Sequence, residues 1–129
     1  MVVTGHRLVI AHAGECRAVL VKGDGFVELT SDHSAEVAPA QPGARSAPLR
    51  PDEAARVARA GGKVCDGTVH VGNGNLPMTR AFGNLPLKVA QGRDWHRTRC
   101  DEQVVTALPE VSVVPRSPDD VPVVPASDG

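Results

Sequence analysis

Arg7-Leu8-Val9-Ile10-Ala11-His12 and Cys16-Arg17-Ala18-Val19-Leu20-Val21-Lys22 are the two stretches whose reading decides the fold. Both are short and apolar, as buried strands are. Gly14-Glu15 between them is turn chemistry. Lys22-Gly23-Asp24-Gly25 predicts a second, tight turn, because Asp and Gly tolerate positive φ. Phe26 to Thr30 predicts a third strand. Three such runs in succession imply an antiparallel meander, with Glu15 in the turn of its first hairpin.

Composition supports strands. The 129 residues include 20 Val and 16 Ala, against 14 Leu, Ile, Met, Phe and Trp together. Such a core suits sheets but lacks the large side chains that dominate burial energy. Fourteen basic and 15 acidic residues leave a net charge of -1, so no global field favours nucleic acid or an anionic membrane. No apolar run approaches the ~18 residues of a spanning helix. The start, Met1 to Arg7, lacks the layout of a signal peptide. A soluble cytoplasmic or nuclear protein with reduced thiols is expected.

Farther along, residues 34–48 lack periodicity and read as a flexible loop. Arg50-Pro51-Asp52-Glu53 opens the best helix: proline suits the first turn, and two acids there meet the positive end of the helix dipole. Gly61-Gly62 ends it, and Ala54, Val57 and Ala58 form its apolar stripe. Lys63 to Val71 returns to strand, with a turn at Asp66-Gly67. Gly72-Asn73-Gly74-Asn75 is a further turn, Met78 to Phe82 one helical turn, and Leu85 to Glu102 loop. Gln103 to Val114 and Val121 to Val124 are late strands. Pro122 and Pro125 lack the N–H that a central strand donates, so the last stretch is either no central strand or a damaged one.

Chemistry is sparse by spacing. Cys65 with His70, and His96 with Cys100, lack the paired-cluster form of a zinc site. Cys16 beside Arg17 has the setting of an activated thiol, against the commoner reading of an inert small hydrophobe. Residues 72–75 lack the Lys-Ser/Thr of a phosphate loop. Glu15 and Asp128 are carboxylates in positions that hard divalent cations use, and spacing leaves open whether they meet.

Several blocks, in order, resemble the metal-dependent protein phosphatase 2C family, particularly its plant members. Leu8 to Leu20 is similar to its strand–GDSR–strand block, and Leu29-Thr30-Ser31-Asp32-His33 to its LTxDH segment. Arg50 to Glu53 with Gly61-Gly62-Lys63-Val64 resembles its helix and GG.V stretch. Gly74 to Asn84 resembles the block ending S/T-R-A-x-G-D. Val104 to Val111 and Ala126-Ser127-Asp128-Gly129 resemble the V-x-A-x-P-x-V and ASDG blocks.

The resemblance implies an α+β fold, a partial sandwich of antiparallel β-sheets flanked by helices, over residues 1–129. It implies dephosphorylation of phosphoserine and phosphothreonine with two Mg2+ or Mn2+ ions that activate a bridging water. Phosphoproteins are the implied substrates or partners, with no role for nucleic acid or membrane. Asp128 inherits a metal-ligand role, and Glu15 stands where many members have the GDSR aspartate. Asn84 replaces the Asp of the GD pair. The family's N-terminal acidic and DGHGG blocks and its C-terminal DN block are absent from these residues. No catalytic residue is therefore assigned, and little or no turnover is expected of this chain alone. The alternatives are a non-catalytic interaction module or a non-functional fragment.

Overall fold

The computed structural model describes residues 1–23, 25–36, 48–117 and 123–127. Burial alternates along strand β2 (Arg7–His12), with Leu8, Ile10 and His12 turned inward. It alternates likewise along β3 (Arg17–Lys22), which buries Ala18 and Leu20. These two strands do not pair with each other. β2 lies between β1 (Val2–Val3) and β8 (Glu110–Pro115), antiparallel to both. β3 lies between β4 (Gly25–Glu28) and β9 (Val123–Ala126), again antiparallel to both.

The expected meander is thus corrected: of its pairings only β3–β4 forms. Leu8 and Ile10 meet Ala18, Leu20 and Leu29 in one cluster, with Val114 and Val123 packed against it. Two sheets laid face to face bury both apolar faces at once, which edge pairing of β2 with β3 would not do. Residues 13–16 therefore cross between sheets, and Glu15 sits in that crossover rather than in a hairpin. Gly14, at φ +87, makes the bend.

Helix α1 (Pro51–Arg59) begins at its proline, with Asp52 and Glu53 in the first turn, and ends before Gly61 at φ +86. Its buried side is Glu53, Val57 and Ala60, while Ala58 is exposed. The expected apolar stripe is corrected at Ala58, and a carboxylate joins the inward side. Strands β5 (Lys63–Cys65), β6 (Thr68–Val71) and β7 (Gly74–Leu76) form a third antiparallel sheet. Asp66 and Gly67 take φ of +50 and +73, the two positive values that a tight hairpin turn requires. Val57, Val69, Val71, Leu87, Val104 and Val105 form the second core. Gly62 is needed there for closeness, since an added Cβ would collide with Val104 Cγ1 and lie 3.1 Å from Val57 Cγ1.

Residues 78–82 do not make the expected helical turn. Met78 bridges Ser34, and Arg80 bridges Thr106. The Thr79 N–H donates to the His33 carbonyl at 2.7 Å and the Ala81 N–H to the Thr106 carbonyl at 3.0 Å. Backbone groups satisfied by neighbouring segments have no need of a helical turn. The long strand expected from Gln103 is shorter: residues 103–106 are buried outside any strand, and only Glu110–Pro115 pairs as one. In the segment expected to be a flexible loop, Ser34 and Ala35 are buried, and residues 37–47 lie outside the described residues. β9 is an edge strand carrying Pro125 opposite Ala18, and Pro122 lies outside the described residues. An edge is where a strand tolerates proline. The architecture is α+β with antiparallel sheets, as the sequence implied.

Gly62→Ala is expected to destabilise the fold by about 1–3 kcal/mol through overpacking. Urea unfolding of the two proteins measures it, and an unchanged midpoint would mean that Val104 yields freely.

Candidate functional site

Two clusters of charged and titratable groups are built into this scaffold. The first centres on Glu53, whose side chain is 2% exposed. Arg80 donates to it from Nη2 at 2.7 Å and Nε at 3.2 Å, Arg56 from Nη2 at 3.0 Å and Nε at 3.2 Å, and Thr79 Oγ1 at 2.5 Å. Burial alone would push the Glu53 carboxyl up. The bonds from Arg80, Arg56 and Thr79 outweigh it and hold the group well below the usual carboxylate range. Arg56 also donates to the carbonyls of Gln103, Val104 and Thr79 at 2.8, 2.9 and 2.8 Å. The cluster is a structural clamp with every strong acceptor occupied, so it offers little to a substrate.

The second cluster joins the two sheets at one end. His12 is the last residue of β2, and Glu110 stands opposite it as the first residue of β8. The His12 ring stacks on His33, with centroids 4.6 Å apart. His33 Nε2 lies 3.4 Å from Glu110 Oε2, and Arg50 Nη1 donates to the same oxygen at 2.6 Å. Arg50 also holds Asp52, at 2.7 Å. The His33 Nδ1 accepts from the Gly14 N–H at 3.2 Å. A neutral imidazole has one proton, so that acceptor role places the proton on Nε2, facing Glu110. Burial lowers the affinity of both rings for a second proton, with Glu110 opposing it at His12 and Arg80 reinforcing it at His33. Ligand atoms of His12, His33 and Glu110 lie within 4.8 Å of one another, close enough to hold a metal ion.

Glu15 is half-buried in the crossover, and it is not part of that trio. Asp128 lies outside the described residues. Among the described residues, then, the trio that meets offers two imidazoles and one carboxylate, a poor fit to Mg2+, which prefers oxygen donors throughout. Asn84 takes the left-handed conformation at φ +49 and opens a short 3-10 turn, Leu85–Leu87. Arg17, read as a neighbour that could activate Cys16, gives Nε and Nη2 to Asp32 at 3.0 and 2.5 Å, and Cys16 is exposed. A recess of about 290 Å3 beside the β6–β7 turn is lined by Val71, Asn73, Leu87 and Val89 among others, with no titratable group. No helix among the described residues is long and apolar enough to cross a membrane.

The sequence missed Glu53, His12 and His33 as members of clusters. His12 shares strand parity with Leu8 and Ile10, a sign that it points inward. Nothing local signals its partners, 21 and 98 positions onward along the chain at His33 and Glu110.

The fold places the chain among phosphatase-type sandwiches. The crystal structure of a phosphatase from Toxoplasma gondii superposes with a TM-score of 0.60 and 25% identity, over 95% of this chain and 31% of that one. The family pattern of Protein phosphatase 2C matches residues 1–129. This chain belongs to the protein phosphatase 2C family. It is 35% identical over 122 residues to Protein phosphatase 2C 1 of Paramecium tetraurelia, covering 95% of this chain and 34% of that protein. It is 37% identical over 128 residues to Probable protein phosphatase 2C 68 of Oryza sativa subsp. japonica, covering 99% of this chain and 28% of that protein. The chain therefore spans about a third of the length of the curated relatives it matches.

Because Glu53 is held below its ordinary value, its contribution to stability is complete above the unfolded pKa of 4.5 and is lost as pH falls below it. Wild-type stability should drop steeply below about pH 4.5, followed by denaturant midpoint against pH. Glu53→Ala, which removes the shared carboxylate of two largely buried guanidiniums, should cost about 3–5 kcal/mol at neutral pH. A variant within 1 kcal/mol of wild type, by order-of-magnitude comparison, would deny the clamp its role.

Proposed function

We propose that this chain serves the family reaction, metal-dependent dephosphorylation of phosphoserine and phosphothreonine in proteins. The observation that carries the reading is the family match over residues 1–129. Mg2+ or Mn2+ is the proposed cofactor, with Asp128 as one ligand and Glu15 at the position that contributes to a further metal in many members of the family. Such ions neutralise phosphate charge and lower the pKa of a bound water. A dinuclear centre needs several carboxylates, and two are assigned here, one of them a Glu where the family pattern has an Asp. The chain alone is therefore proposed to turn over weakly or not at all.

The test is phosphate release from a phosphothreonine peptide by the purified chain, with and without Mn2+. The expected outcome is at most a small Mn2+-dependent signal that Asp128→Asn abolishes. Robust turnover would overturn the proposal of impairment. A Mn2+-dependent signal untouched by Asp128→Asn would overturn the ligand assignment. Hydrolysis indifferent to Mn2+ would remove the metal-dependent reading altogether.

A further inference from the structure

Two polar atoms stand out among the described residues: His12 Nδ1 is a buried side-chain atom with no hydrogen-bond partner, and His33 Nε2 has only the Glu110 carboxylate oxygen, 3.4 Å away, in front of it. Both belong to residues at least nine-tenths buried, at 8% and 1% exposure. Both belong to the trio that includes the Glu110 carboxylate. Buried polar atoms are satisfied in the great majority of folded proteins, so one atom without a partner beside another with a single long contact calls for a missing partner.

We propose that His12, His33 and Glu110 bind one borderline divalent cation of the Zn2+ class, at a centre that does not include Glu15. The donor set decides the class. Two imidazoles and a carboxylate suit Zn2+ or Co2+, whereas Mg2+ and Ca2+ take oxygen ligands. Spacing agrees on one edge. Bonds of about 2.0–2.1 Å at a tetrahedral angle set donors roughly 3.3–3.4 Å apart, and His33 Nε2 to Glu110 Oε2 is 3.4 Å. The His12 ring, stacked on His33 without the ion, has to turn as well as close in from its place in the 4.8 Å cluster. Arg50, bonded to Glu110 at 2.6 Å, is the outer partner that orients the carboxylate.

Two features of the site oppose the ion, and both give it a signature. Arg50 and Arg80 are positive neighbours of His12. Arg80 is neutralised by Glu53 and Arg50 by Asp52 and Glu110, which limits the repulsion. The His33 proton must also leave Nε2. When the ion takes that lone pair, the ring proton sits on Nδ1, and the 3.2 Å bond from the Gly14 N–H is given up. Binding therefore perturbs the Gly14 amide as well as the two rings.

This inference is independent of the phosphatase reading, and its test needs no activity. The probes are ZnCl2 by calorimetry and CoCl2 by visible absorption and NMR, on the full chain with Cys16, Cys65 and Cys100 changed to Ser. The expected result is one equivalent bound, with Co2+ broadening the His12 and His33 ring signals and the Gly14 amide, but not those of His6, His70 or His96. Mg2+ in excess should not displace it. His12→Asn and Glu110→Gln should each weaken binding by more than about tenfold, the loss that removal of an outer partner alone can cause. Absence of Zn2+ and Co2+ binding would overturn the proposal, as would binding that broadens other histidines. The wild-type ring pattern decides the matter even where a variant fails to fold.

Discussion

A single carboxylate, Glu53, organises the half of the molecule outside the β2–β3 sandwich. Taking it out of water is unfavourable, and the surrounding donors more than repay that. Its three partners come from two places: Arg56 from its own helix, and Thr79 and Arg80 from an extended segment. Arg56 then reaches the carbonyls of Gln103 and Val104. The first turn of α1 is thereby fastened to two strands of chain that have no regular structure of their own. Val57 on the same helix, and Ala60 at its C-terminal cap, close the apolar core beneath it. Charge sets the register here and apolar packing fills it, since Val and Ala alone would slide more readily than larger side chains.

Local elements were legible in the sequence. The strand Arg7–His12 lies where its apolar run places it, and the helix starts at the proline and stops at the glycine pair. The Asp66-Gly67 hairpin follows from the two residue types that best accept positive φ. Partners of strands were not legible. β2 and β3 are neighbours in sequence and carry the same alternation, which permits either edge pairing or facing sheets. The choice is made by β8 and β9, far along the chain, which occupy the edges that a meander would have used. Met78 to Phe82 misled for a related reason. Its composition suits a helical turn, but Ser34 and Thr106 supply bridges from outside.

The site was legible in part and for different reasons. The blocks shared with the phosphatase 2C family identified the family, which needs order and not contact. Burial of an acid in a first turn was not legible, because two acids there also satisfy the helix dipole while fully solvated. Arg17 illustrates the same limit. Beside Cys16 in sequence, it serves Asp32 in space, and the LTxDH segment is thereby pinned to the start of β3. His33, next to that aspartate, is carried by the same anchor toward His12.

The pairing of β2 with β8 has a consequence for how the molecule comes to exist. Arg7 lies opposite Pro115, and His12 opposite Glu110. A ribosome releases β2 well before β8 is made, so the Leu8–Ile10 face waits for its main sheet neighbour while the intervening chain is synthesised. Closing so large a loop slows the search for the native pairing. The third sheet, whose strands follow one another through short turns, has no such delay. Assembly is thus expected to begin in the third sheet, with β2 and β8 pairing later.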